Sequence, residues 1–169
     1  EVVQILLKVE GINVNATDKN GETAFILASH NDHKEVVQTL LKVEGINVNA
    51  AEDGWTALML ASYNGHKEIV EMLLNVEGID VNAANNFGET AFILASHNDY
   101  KEVVQMLLNV KGINVNAADK DGETALMLAS RSGHKKVVQM LLDVEGIDVS
   151  AANKDGETAL MVACRRYCH

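Results

Sequence analysis

The chain has 169 residues, 47% of them apolar, enough for one domain with a sizeable core. Its formal net charge of −10 and pI near 5.0 disfavour nucleic acid and anionic membranes as partners. No run approaches the ~18 consecutive apolar residues of a membrane helix, and the two cysteines, Cys164 and Cys168, lie too near the end to staple a fold.

In chain order, residues 1–16 come first and read as half a unit. Val2, Val3, Leu6 and Leu7 make an apolar stripe at helical spacing with nothing before it to pack against. The stretch "EVVQILLKVEG" lacks the basic start and small-residue cleavage site of a secretory signal. With the sparse cysteines, this sets the expected location in the cytoplasm or nucleus.

Residues 17–50 form a complete unit. "DKNG" at 18–21 predicts a type I turn, with Asp first and Gly fourth, and Thr23 is placed to cap a short helix over 24–30. Asp32 then takes the breaking position that Gly65 and Gly133 hold in other units. A longer helix is expected over 33–43, its Val36–Val37 and Leu40–Leu41 pairs forming one stripe, with Gly45 as its left-handed C-terminal cap. "INVNA" leads out to the next turn.

The same order recurs in 51–83, 84–117 and 118–151, and 152–169 hold the first half of another unit. The phrase G-x-T-A begins at Gly21, Gly54, Gly88, Gly122 and Gly156, at intervals of 33, 34, 34 and 34 residues. One helix pair cannot bury its own stripe, so neighbouring units must stack. The cut ends lead to the expectation of a piece of a longer array. Units one and three are near copies, "GETAFILASHND" occurring at 21–32 and 88–99. The second unit departs from the pattern: "AEDG" at 51–54 is one residue short, which predicts a tighter tip, the type I′ form, at Asp53-Gly54.

The phrases G-x-T-A-[LF]-x-x-A, G-H-K-x-[VI]-V-x-x-L-L and G-[IA]-x-V-N-A cover the whole chain, and in them the chain resembles an ankyrin-repeat array. The resemblance implies an all-α solenoid of stacked helix-turn-helix units with β-turn or hairpin tips. It departs from the family in three ways. Ala24, Ala57, Ala91, Ala125 and Ala159 replace the signature proline, and Ile26, Met59, Ile93, Met127 and Met161 replace its histidine, whose hydrogen bonds must be absent or replaced by packing. The unit is also one residue longer than the usual 33, with an added step expected at the end of the long helix.

No convergent set of polar groups suggests catalysis, and neither cofactor nor metal is expected. The turn carboxylates Asp18, Glu22, Glu89, Asp119, Glu123 and Glu157 recur by repetition and are expected to be solvated. His66 and His134 read as structural side chains bonding nearby backbone, whereas His30 and His97 are expected to face a partner. Cys164, Cys168 and His169 form C-x-x-x-C-H, but no fourth ligand is apparent and the sulfurs read as ordinary thiols.

The resemblance implies protein binding through the turn tips and the exposed side of the short helices. Residues that vary at those places are the candidates: Trp55, Tyr63 and Phe87 as aromatic anchors, then His30, His97, Asp53, Glu89, Arg131 and Arg165. The aromatics serve either as anchors, as Trp and Tyr do at hot spots, or as cover for turn backbone. The tighter tip is expected to draw Trp55 inward. The expected function is a non-catalytic protein-interaction scaffold whose partner has a basic surface. The alternatives are a structural subunit embedded in a larger assembly, or a substrate for asparagine hydroxylation. The resemblance implies that modification for Asn15, Asn49, Asn82 and Asn116, Asn82 matching most closely.

Overall fold

The computed structural model describes residues 1–166, so the thiol and imidazole of Cys168 and His169 lie outside the described residues. Among the described residues ten helices follow in order: α1 (Val2–Leu6), α2 (Ala24–His30), α3 (Lys34–Leu40), α4 (Ala57–Asn64), α5 (Lys67–Leu74), α6 (Ala91–His97), α7 (Lys101–Leu108), α8 (Ala125–Ser132), α9 (Lys135–Leu142) and α10 (Ala159–Arg166). Two short strands, β1 (Ala51–Glu52) and β2 (Trp55–Thr56), pair antiparallel between α3 and α4.

α2, α4, α6 and α8 each start where a threonine hydroxyl takes up an orphan amide. Thr23, Thr56, Thr90 and Thr124 accept from the N–H of Ile26, Met59, Ile93 and Met127, at 3.2, 3.3, 3.3 and 3.4 Å. α4 and α8 end on left-handed Gly65 and Gly133. After α2 and α6 the turn is made by Asp32 and Asp99, with φ of 56° and 61°, in the left-handed region that Asp reaches at modest cost.

The ends of the long helices differ from expectation. α3 stops at Leu40 with a right-handed cap at Leu41, and further turns follow, Val43 N–H donating to the Leu40 carbonyl and Ile46 N–H to that of Val43. Gly45 has the expected positive φ, 78°, but lies in those later turns and is not the helix cap. The extra residue of the unit is absorbed there, where no i−4 ladder has to be kept.

Short helices stack in one row, α2 to α10, and long helices in a second row behind them, with α2, α4, α6 and α8 each packing on the long helix of its own unit. The core is the seam between the rows: Phe25, Leu58, Phe92 and Leu126 from the short helices meet Val37, Ile69, Val104 and Leu141 from the long ones. Burial of each such large side chain contributes roughly 1.5–3 kcal/mol. Ile26, Met59, Ile93 and Met127 are fully buried, so packing replaces the signature histidine. The stripes lose their cover at the terminal units: Val2 and Leu6 are exposed at one end, Leu160 and Met161 at the other.

Candidate functional site

Four of the tips are held by an Asx side chain. The Oδ1 of Asp18 accepts from the N–H of Asn20 and Glu22, and Asn85, Asp119 and Asn153 do the same two and four residues on, at 2.8–3.0 Å. The second unit has no Asx in this place. Its backbone closes directly, Glu52 pairing with Trp55 across Asp53 (φ 47°) and Gly54 (φ 83°). Positive φ at both central residues is the type I′ hairpin expected from the missing residue.

The tip residue after the glycine and the last residue of the short helix stand eight apart in sequence and meet in space. In the second unit they are Trp55 and Tyr63, edge to face with centroids 5.8 Å apart and planes at 82°. In the fourth they are Glu123 and Arg131, joined by two charge-assisted hydrogen bonds, and in the fifth Glu157 and Arg165, at 2.6 Å. Two expectations are corrected here. Glu123 and Glu157 are not solvated: they are 7% and 8% exposed, because each carboxylate folds back over the short helix onto its arginine. Asn153 Nδ2 also donates to Glu123 across the junction, at 3.1 Å. Burial drives the Glu123 pKa up, but hydrogen bonds from Arg131 and Asn153 and the Arg131 charge outweigh it, holding the carboxyl below its usual range. Trp55 is half-buried, as the shorter tip suggests, yet it is not drawn in beyond its counterparts, since Glu123 and Glu157 lie deeper.

Between the tips and the short helices of the first four units runs a groove of about 850 Å³. It gathers Trp55, Tyr63, Phe87, His30, His97 and Glu89 from separate units. Tyr63 and Phe87 are 46% and 62% exposed. Asp53 lies in an adjoining recess with Glu52 and Asn86, while Arg131 and Arg165 line a separate recess toward the C-terminal end. Residues that sequence reasoning left out of the site complete the walls: Leu60 and Leu94 from the short helices, and Glu22, Glu52, Asp119 and Asp121 from the tips, with Lys120 as the one lysine. Their shared place at the tip was visible in the repeat register, but which of them keep an internal cation was not. Among the described residues, no Lys or Arg comes within ion-pair distance of Glu22, Glu52, Glu89, Asp119 or Asp121.

The chain matches the family model described as ankyrin repeats (3 copies), over residues 1–85 and 77–153. It is an ankyrin-repeat protein. No curated protein matches it significantly. Ankyrin repeats are in general protein–protein interaction modules, and the family is typically non-catalytic. No helix among the described residues is long and apolar enough to cross a membrane.

Two further sets of residues tie the ankyrin repeats together. His66 Nε2 lies 3.0 Å from the His30 carbonyl oxygen and His134 Nε2 2.8 Å from that of His97, so each imidazole bonds backbone of the preceding unit. Their Nδ1 atoms stand 3.8 and 3.9 Å from Asp32 and Asp99. On the opposite edge, the amides of Asn15, Asn49, Asn82 and Asn116 each donate to a glycine carbonyl of the next unit, Gly45, Gly78, Gly112 and Gly146. Each Oδ1 accepts an N–H two residues past that glycine. Of the residues implied as hydroxylation candidates, Asn49, Asn82 and Asn116 are thus exposed and Asn15 half-buried, each with both ends of the amide bonded across a junction. Ser150 interrupts the series, its hydroxyl bonding Asp148 in its own unit.

Proposed function

We propose that this chain is a non-catalytic docking scaffold that holds another protein, one with a basic surface, in the groove between its tips and short helices. One observation supports the reading above others: the groove collects exposed Tyr63 and Phe87 beside half-buried Trp55 and carboxylates that, among the described residues, no Lys or Arg approaches within ion-pair distance. Aromatic anchors in a desolvated setting give affinity, and unneutralised charge gives partner choice and fast encounter. His30, His97, Asp53 and Glu89 flank the anchors. Arg131 and Arg165 are committed to Glu123 and Glu157, so they set the C-terminal boundary of the contact and do not attract an acidic partner.

A photoreactive benzoylphenylalanine at position 63 tests this, with the same group at Gln105, exposed on α7, as control. In extract of the source cells, adducts should form from position 63, depend on Trp55, and be absent from position 105. Equal yields at the two positions, or no effect of Trp55→Ala, would remove the groove as the docking site.

A further inference from the structure

Glu52 is unlike the other tip carboxylates. It stands where Asp18, Asn85, Asp119 and Asn153 bind their own turn backbone, yet the type I′ hairpin closes through its backbone and leaves its carboxylate unused. Its stem crosses to the first tip, its Cγ lying 3.5 Å from where a Cβ on Gly21 would stand. The carboxylate is thereby brought beside Glu22, with Asp18 and Asp53 nearby and His30 as the opposing titratable group. Partial burial first, then the charges of Glu22, Asp53 and Asp18, push the Glu52 pKa above its usual value, and His30 lowers it slightly. Trp55, paired with Glu52 across the hairpin, forms an aromatic corner with Tyr63, and Phe87 projects from the third tip.

Crowded carboxylates beside an aromatic corner suit a planar, weakly hydrated cation. Guanidinium accepts both contacts at once, stacking on a ring while donating paired hydrogen bonds to carboxylate, which a lysine ammonium cannot do. The spacing of the tips adds a register. Packed helices lie about 8–10 Å apart, so successive tips recur at about that interval along the groove: the second, which carries Glu52 and Trp55, the third with Glu89, and the fourth with Asp119 and Asp121. A polyproline II chain rises about 3.1 Å per residue and returns to the same face every third residue, about 9 Å.

Resting on the docking role above, we propose that the occupant is an extended segment of another protein with an arginine at every third position. One guanidinium sits between the Glu22–Glu52 carboxylates and the Trp55–Tyr63 rings, and the next ones meet the tips of the third and fourth units. An acidic or purely apolar segment finds no match there.

Fluorescence anisotropy with the intact chain tests this, using three labelled dodecapeptides. The first has four Arg-Pro-Ala triplets, the second the same residues with the arginines contiguous, and the third Gln in place of Arg. In 150 mM salt the triplet peptide should bind about tenfold more tightly than the Gln peptide and about threefold more tightly than the contiguous one, in line with charge-assisted pairing at matched sites. Glu52→Gln, Trp55→Ala and Tyr63→Ala should each weaken it about fivefold or more. Asp155→Asn removes the same charge from the fifth tip, outside the groove, and should change affinity less than twofold. Equal losses for Glu52→Gln and Asp155→Asn would overturn the proposal, affinity then reflecting only the net charge of −10. So would equal binding of the contiguous peptide. Selection from a random displayed library separates this proposal from the docking role. Binders that need Trp55 but lack arginine would overturn the proposal alone, and binders indifferent to Trp55 and Tyr63 would overturn both.

Discussion

The first three units and the last two place different chemistry at one pair of positions. In the fourth and fifth, tip and helix end carry Glu123 with Arg131 and Glu157 with Arg165, and the charge of that pair is satisfied within the unit. In the second they carry Trp55 and Tyr63, and among the described residues no Lys or Arg comes within ion-pair distance of Glu22, Glu52 or Glu89 around them. The tips also join differently. Lys120 N–H donates to the Phe87 carbonyl and Lys154 N–H to that of Asp121, linking the third, fourth and fifth tips in a ladder. No such bond links the second tip to the first or to the third among the described residues. One deleted residue thus sets the second tip, outside the ladder and carrying the aromatic corner, apart from the laddered third, fourth and fifth tips. In a repeat array, the unit that breaks register is the one to inspect for function.

That contrast can be probed by substitution. The largest effect is expected from Gly54→Ala, where φ is positive and a Cβ would lie 2.8 Å from Asn85 Cα. Backbone strain and overpacking should together cost about 2–4 kcal/mol in denaturant unfolding. Gly156→Ala, with similar φ but open space around it, should cost about 1 kcal/mol. Equal losses would show that the second tip is not pressed against the third.

Arg131→Ala comes next. It strips the half-exposed cation from buried Glu123 and should cost about 1–2 kcal/mol at pH 7, solvent access to Arg131 limiting the loss. Because the Glu123 pKa is depressed in the fold, its contribution is complete above the unfolded value near 4.5 and disappears as pH falls through the lower folded value. The gap between wild type and variant should therefore close in acid, and a gap that widens there would refute the clamp.

A loss of about 1 kcal/mol is expected for Asn82→Ala, which removes the bonds to the Gly112 carbonyl and the Asn114 N–H. Hydrogen exchange should accelerate at Asn114 in particular, and unchanged exchange would mean the asparagine series carries no load. The smallest effect has the opposite sign. Glu52 has a raised folded pKa, so its ionised form is disfavoured by folding and any stabilising share exists only in acid. Glu52→Gln should raise Tm slightly at pH 7 and leave it unchanged below pH 4.5. A lower Tm at neutral pH would mean that Glu52 has a partner in the fold.

Sequence reasoning reached far into this fold because its evidence is local and repeated. The threonine caps, the left-handed Asp32 and Asp99, and the I′ turn at Asp53-Gly54 depend on one or two neighbouring residues and on φ alone. Its errors fall where a side chain reaches across distance. Glu123 looks solvated until the arginine eight residues on is seen to lie over it, a pairing that joins a turn residue to the far end of the short helix. Treating tip and helix-end positions as independently variable hid their coupling: Trp with Tyr, Glu with Arg. Gly45 was misplaced because a glycine after an apolar stripe looks the same whether it ends the helix or a later turn.

Period, element order, caps and tip type are written in the order of residues, since each follows from short-range sterics and hydrogen bonding that chain neighbours alone satisfy. The groove is not. Its membership, its uncancelled charge and the approach of Glu52 to Glu22 arise only when units some 30 residues apart are stacked at helix-packing distance, where Coulomb forces and ring contacts ignore sequence separation.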